Sequence, residues 1–430
     1  MQETMFKYRR SRNSEKVVIP TSPKSNRAWD TRHSFVLWCF AAVFVCYIDR
    51  VNISVAALAM QEPFGWSEAF KGMVFSAFFF GYLLFQIPSG YLAHRFGGAT
   101  ALGYAVAFWS ACTLLTPIAA MSSAGALIAV RVAMGMGEAC MFPAMFSILS
   151  ECVPATERSR SVAFLMSGIA LGTLLGLAAS GWIIGHYSWP IVFYVFGVVG
   201  LLWTVMWITT GARRRPRKTA AAAGGSVSDV PWRAWLASPA IWALIANHFC
   251  SNWTLYMLLA WLPSYFHAQG HSIANSGFRS VAPWITNLVV SNAGAWCADR
   301  MIARGFSVVR VRKAMQIIAL IGSATALMIA RNSQDSTDAL LLMCGALGAL
   351  GLILSGLYPN MLELAPKHAG VLMGFSNTIA TLPGVVGVYV TGWLVEITGG
   401  YSAAFLLAAT LNIVAASAYL LFAKSKPVLV

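Results

Sequence analysis

The chain has 430 residues, 58% of them hydrophobic and only 10% charged, with a formal net charge of +15. So apolar a composition excludes the soluble classes, disordered chains included. A charge of +15 in a soluble protein would point to nucleic acid, but here its placement along the chain carries a different meaning.

Residues 1–34 hold charges but no apolar h-region of signal-peptide type. They read as a basic, disordered cytosolic arm, which leaves insertion to the first helix. Apolar segments of bilayer-spanning length (about 20 residues) follow at 35–59, 70–92, 99–120, 122–148, 160–184 and 189–210. A polar stretch over 211–238 contains Arg213, Arg214, Arg215, Arg217 and Lys218 and then AAAAGGSVSD, which is linker composition. A second set of spans occupies 239–266, 277–299, 313–331, 338–362, 368–395 and 401–423. The expected class is an all-α membrane protein of twelve transmembrane helices: a six-helix bundle over 35–210, a cytosolic linker over 211–238 and a second six-helix bundle over 239–424.

The charges fit this count. Of the 30 lysines and arginines, all but Arg50, Lys71, Arg131, Arg279 and Arg331 fall in the N-terminal arm, in alternate loops or in the C-terminal tail. The positive-inside rule then puts both termini in the cytoplasm, so the net charge reports topology and no nucleic-acid partner is expected. A repeat supports two related halves. Gly90 to Arg95 (GYLAHR) closes the second span, and Gly294 to Arg300 (GAWCADR) closes the eighth, with Asp299 and Arg300 where the first copy has His94 and Arg95. Matching elements in two halves are the mark of transporters built from two pseudosymmetric bundles. In the fifth span Gly168, Gly172, Gly176 and Ser180 present a small residue every fourth position, a face for close helix packing. The eight cysteines show no CxxC or Cys/His spacing, so neither a metal nor a cofactor is expected, and most should be packing residues.

The fourth span holds Arg131 and Glu138, seven residues and about two turns apart, so both project from one helix face. Ionisable groups in the hydrocarbon cost roughly 2.5–3.5 kcal/mol each, and they usually mark a pathway. The first span adds Asp49 and Arg50, whose adjacent side chains point about 100° apart. Arginine offers a permanently charged fork for a carboxylate. A carboxylate that alternates between pairing with arginine and facing a dry cavity takes up and releases a proton, because burial raises an acid's pKa and a nearby arginine lowers it. A mutual ion pair that only holds helices together is the plainer reading of such charges.

Several motifs resemble the anion–cation symporter branch of the major facilitator superfamily. They are YIDRVNIS (residues 47–54), GYLLFQIPSG (81–90), Arg131 with Glu138, WPIVFYVFG (189–197), NHFCSNW (247–253) and GFSNT (374–378). The likeness runs in order over about residues 35–420. It implies the two-bundle fold and secondary active transport of a small anionic solute with a co-transported proton or sodium ion. It also implies Arg50 as the anion ligand, with Asp49 and Glu138 as proton-coupling acids and Arg131 pairing with an acid to tune it. Gly90, Arg95, Asp299 and Arg300 become gating-loop residues. Bacterial sugar-acid permeases of this branch carry acids at both matching positions, so a hexonate or hexuronate leads, with inorganic phosphate or another carboxylate as the alternative. Phe75 and Ser251 stand where vesicular glutamate transporters have His and Arg, which disfavours glutamate.

Tyr82 and Gln86, one turn apart, and Asn252 and Asn377 are further candidates for substrate binding. Asn360 could serve either substrate or helix packing, and His248 reads as an interhelical hydrogen-bonding residue more readily than as a proton relay. Pro88, Pro143, Pro263 and Pro383 should kink their helices. Neither an aspartyl Gly-x-Gly-Asp setting nor a Ser–His arrangement supports an intramembrane hydrolase. A monomer in a bacterial-type inner membrane is expected.

Overall fold

The computed structural model describes residues 26–211, 230–333 and 335–428. Most of the N-terminal arm and most of the linker therefore lie outside the described residues. The first half comprises α1 (Asn26–Gln61), α2 (Glu68–Phe96), α3 (Gly98–Ser122), α4 (Ala124–Ala139), α5 (Met141–Cys152), α6 (Ala155–His186) and α7 (Pro190–Met206). Alpha-helix α7 runs into a π-helical turn at Trp207–Gly211. The second half comprises α8 (Trp232–Leu236), α9 (Pro239–Ala268), α10 (Ile273–Ala303), α11 (Val308–Ala330), α12 (Ser336–Gly351), α13 (Ile353–Leu364), α14 (Ala369–Thr398) and α15 (Ser402–Phe422). With α4–α5 and α12–α13 each counted as one broken rod, the described residues form twelve long rods. The first begins at Asn26, inside the expected arm, and α8 is a short helix inside the expected linker.

Length and composition alone qualify 10 of these rods as membrane spans. The other two, α9 and α10, are long enough but carry polar residues such as Asn247, His248, Ser276 and Ser280. Those four side chains are buried against neighbouring helices, so lipid never meets them. Conversely, Leu84, Val198, Leu202, Val205 and Leu341 are exposed on the outside of the bundle, as a lipid-facing surface requires.

Packing repeats between the halves. In the first, α1 lies along α6, α2 along α4, and α3 against α4 and α7. In the second, α9 lies along α14, α10 along α12, and α11 against α12 and α15. The halves meet through α2 on α14 and α6 on α10, two contacts that the same pseudosymmetry interchanges. The small-residue face of α6 packs on α1: a Cβ on Gly172 would fall 2.6 Å from the Phe44 carbonyl oxygen.

The α4–α5 break and the interior of α13 share one chemical feature, a proline. Proline lacks an N–H for the carbonyl four residues back. Pro143 thus frees the Ala139 carbonyl at the α4–α5 break, and Ser89 Oγ of α2 donates to it at 3.1 Å. Pro359 frees the Ser355 carbonyl in α13, which takes a 2.8 Å bond from Arg312 Nη1. Both freed carbonyls accept from a side chain of a neighbouring helix, so neither is left unpaired in hydrocarbon; at the α12–α13 break itself, Gln316 Nε2 of α11 donates to the Ile353 carbonyl at 3.0 Å.

The cleft between the halves is sealed at one end. Away from the chain termini, a Cβ on Gly384 would lie 2.3 Å from Phe79, and one on Gly392 would lie 2.4 Å from the Glu68 carbonyl. Phe75 meets Trp261 edge-on at 5.4 Å, Phe79 lies 4.6 Å from Tyr256, and Glu396 Oε2 accepts the Ala69 amide at 2.7 Å. Toward the termini, a Cβ on Gly90, Gly370 or Gly374 would meet nothing within 4 Å.

Candidate functional site

The charged residues converge where α1, α2 and α4 meet. Close approach of α2 and α4 sets this geometry: a Cβ on Gly81 would sit 2.0 Å from the Val132 carbonyl oxygen, and one on Gly135 2.0 Å from that of Phe78. Glu138 lies one turn beyond Gly135, at the last turn of α4 before the break.

The ion pair at the centre joins α1 to α4. Arg50 Nη2 and Nε donate to Glu138 Oε2 at 2.7 and 3.0 Å. Both side chains are buried, Glu138 completely. Cys46 Sγ donates to the same oxygen at 3.0 Å, whereas Glu138 Oε1 has no partner among the described residues. Three aromatic rings surround the guanidinium, with centroids 4.6 Å (Tyr47), 5.1 Å (Phe78) and 5.3 Å (Tyr82) away. Arg50 Nη1 also donates to Tyr47 Oη at 3.3 Å. This cage screens the pair from water and strengthens it, so removing either partner leaves a buried charge uncompensated.

Arg131 differs from the expectation that it pairs with an acid. Among the described residues it makes no ion pair. Its guanidinium stands 5.2 Å from the Phe78 centroid, and Nη1 meets Met134 Sδ at 3.2 Å. The reason is distance along the helix: seven residues raise Glu138 about 10.5 Å above Arg131, while Arg50 approaches from the facing helix at the height of Glu138. Arg131 and Arg50 nevertheless line one small cavity with Ser54, Phe75, Phe78 and Leu259, with room for about one water molecule.

Asp49 points away from this cavity toward α3. It is fully buried, with Trp109 and Thr113 as polar neighbours, but neither makes a hydrogen bond of good geometry to its oxygens. Asp49, Arg50, Arg131 and Glu138 thus form one buried cluster of two acids and two bases. A proton or a bound anion arriving there changes which charges are paired.

The other candidates separate. Tyr82 belongs to the Arg50 cage; Gln86, one turn further, is half-buried with its Oε1 unpartnered. Asn252 Nδ2 donates to the Ala380 carbonyl at 2.9 Å, tying α9 to α14, and His248 Nδ1 meets Ser376 Oγ at 2.8 Å between the same helices. Asn377 is half-buried on α14. Asn360 is a helix tie: Tyr419 Oη donates to it at 2.9 Å, and its Nδ2 donates to the Lys424 carbonyl at 2.8 Å. Arg95, Asp299 and Arg300 are exposed at the ends of α2 and α10, with Gly90 between one and two turns before Arg95. Sequence reasoning did not single out Tyr47 or Cys46. Their signal was spacing: three and four residues before Arg50, they share its helix face.

Comparison with known proteins agrees with this architecture. Residues 39–387 match the model of the Major Facilitator Superfamily. The chain is 40% identical to the chloroplastic sodium-dependent phosphate transport protein 1 of Arabidopsis thaliana, over 96% of this chain and 82% of that protein. It is 39% identical to the chloroplastic ascorbate transporter of the same plant (97% and 80% covered) and 31% identical to sialin of Homo sapiens (95% and 93%). Among solved structures, a bacterial homologue of the lysosomal transporter Spinster, inward-facing and unoccupied, superposes with a TM-score of 0.77 at 18% identity, covering 92% of this chain and 97% of that one. The D-xylose–proton symporter gives 0.72, also at 18% identity, with 92% and 98% covered. With twelve helical rods among the described residues, in two pseudosymmetric halves, and a family match over most of its length, the chain is a multi-pass integral membrane transporter, not an enzyme, and belongs to the Major Facilitator Superfamily.

Proposed function

We propose that the chain is a proton-coupled symporter of a small organic anion, a sugar acid such as a hexonate or hexuronate, working by alternating access. The observation that carries this reading is the Arg50–Glu138 pair inside its aromatic cage, since the same guanidinium that would hold a carboxylate is already gripped by one. A proton on Glu138 removes the competing charge and frees Arg50 for the incoming anion. Loss of the proton restores the pair and expels the anion, so the two ligands travel together. Asp49 is the second acid of the relay, and Arg131 supplies positive charge that offsets both carboxylates. Tyr82, Gln86, Asn252 and Asn377 contact the body of the solute from the cleft walls. Gly90, Arg95, Asp299 and Arg300 belong to the gating loops at the ends of α2 and α10.

A relative named for ascorbate, a polyhydroxylated acid, supports the sugar-acid class. A second reading, phosphate with sodium as driver, is supported by the relative named as a sodium-dependent phosphate transporter. The excess of Lys and Arg in the N-terminal arm, in alternate loops and in the C-terminal tail supports a cytoplasmic location for both termini. The membrane is a bacterial-type inner membrane on this reading; relatives named as chloroplastic make an organelle envelope the alternative.

Thermal-shift titration of the purified protein with gluconate, glucuronate and phosphate separates the two readings, since a ligand of the folded state raises the melting temperature. A shift with gluconate or glucuronate alone supports the sugar acid. A shift with phosphate alone, strengthened by sodium, overturns it.

A further inference from the structure

We propose that Cys46 is a positioning residue for Glu138: its thiol holds the carboxyl in place while Arg50 exchanges Glu138 for the substrate anion. This inference rests on the proposed role of Glu138. It extends that role to a residue that looks, in sequence, like one of several apolar packing cysteines.

The geometry distinguishes Cys46 from the other cysteines. Cys46 is fully buried one turn before Arg50 on α1, and its sulfur stands 3.0 Å from Glu138 Oε2, the oxygen that Arg50 grips. Arg50 Nη2 lies 3.8 Å from the same sulfur. Three donors therefore converge on one carboxylate oxygen, and Oε1 receives none. When Arg50 leaves for an anion, two of the three donors go with it. The thiol is the donor that remains, so it keeps Glu138 at the height of Arg50 and ready to re-pair. The ionisable groups around the carboxyl are Cys46, Asp49 and Arg50 from α1, Tyr82 from α2 and Arg131 from α4. Of these, Cys46 is the one neutral donor bonded to it.

A thiol bonded to a carboxylate has a lowered S–H stretching frequency, and a lost hydrogen bond to a carboxylate disfavours its charged form. Infrared difference spectroscopy of the full-length protein in lipid, without substrate, reads both. The Glu138 band is identified by its absence in E138Q and the Cys46 band by its absence in C46A. The expected result is a titration midpoint of the Glu138 band about half a unit higher in C46A, the size of one weak hydrogen bond. C46S, which restores a donor, returns the midpoint toward wild type, and E138Q moves the Cys46 band. Superimposable Glu138 titrations in wild type and C46A, at matched thermal stability, would overturn the proposal. If C46A folds poorly, C46S identifies the Cys46 band by its absence, and a Cys46 band that stays unshifted in E138Q overturns the proposal equally. Because no substrate or proton flux enters this measurement, its outcome is independent of whether the symport reading survives.

Discussion

Replacing Glu138 by glutamine should tighten anion binding while abolishing accumulation. Gln keeps the shape and an oxygen acceptor for Arg50 Nε and Nη2, now at 3.0 and 2.7 Å from Oε2, but it removes the charge. A hydrogen bond to a charged group contributes about 1.5–3 kcal/mol and a neutral one about 0.5–1.5 kcal/mol. Two such bonds weaken together, so the competition for Arg50 falls by about 2 kcal/mol, roughly thirtyfold in affinity. The assay is equilibrium binding of labelled gluconate, or of phosphate if that is the ligand, across pH. Wild-type affinity should rise toward the E138Q value as pH falls, whereas E138Q should be nearly independent of pH. Uptake against a gradient should disappear in the variant although exchange persists. An E138Q protein that folds normally yet binds the anion no better than wild type would refute the competition between Glu138 and substrate.

Gly135→Ala puts a methyl 2.0 Å from the Phe78 carbonyl, so α2 and α4 must part, at about 1–3 kcal/mol for overpacking. Gly125→Ala, at a position in the same helix with nothing within 4 Å, should be neutral or stabilising; melting curves that fail to separate the two would contradict the close contact. Glu396→Ala removes the acceptor of the Ala69 amide across the sealed end, and hydrogen exchange there should speed up about tenfold. Unchanged exchange would show that the seal does not depend on this bond. At the start of α12, Asp335 accepts the amides of Thr337 and Asp338 at 2.7 and 3.0 Å, which holds its pKa below the ordinary value. A depressed acid stabilises above its unfolded pKa and loses that contribution as pH falls through the folded one. Protection of the first α12 amides should therefore persist at pH 5 and decline below about pH 4; loss already at pH 5 would oppose the cap.

The architecture was legible because hydrocarbon imposes a coarse rule. Apolar length and the alternation of basic loops counted twelve rods, although α9 and α10 are less apolar than a lipid-facing span, since their polar side chains are buried among other helices. The four charges of the cluster stood out for the same reason: Asp49, Arg50, Arg131 and Glu138 cost too much in lipid to be incidental. Their pairing was not legible. Helical spacing puts Arg131 and Glu138 on one face, but the bond that forms depends on how closely α2 and α4 approach and on where α1 lies across them. That in turn depends on Gly81 and Gly135, whose lack of side chains sets the distance. Pro143 announced a kink in the fourth span, and the structure resolves it as a break one turn earlier, directly after Glu138, with Ser89 bonded to the freed carbonyl. Asn360 was open between solute and helix; contacts with Tyr419 and the Lys424 carbonyl, far off in sequence, settle it as a tie.

The central claim is that anion and proton move together through the Arg50–Glu138 pair. Proteoliposomes holding the wild-type protein and a pH-sensitive dye outside test it most directly, with gluconate or phosphate added externally and no imposed pH gradient. The expected result is substrate-dependent alkalinisation of the outer medium, absent in E138Q and in the D49N/E138Q double variant. Anion accumulation that continues in the double variant, or uptake by wild type with no proton movement, would contradict it.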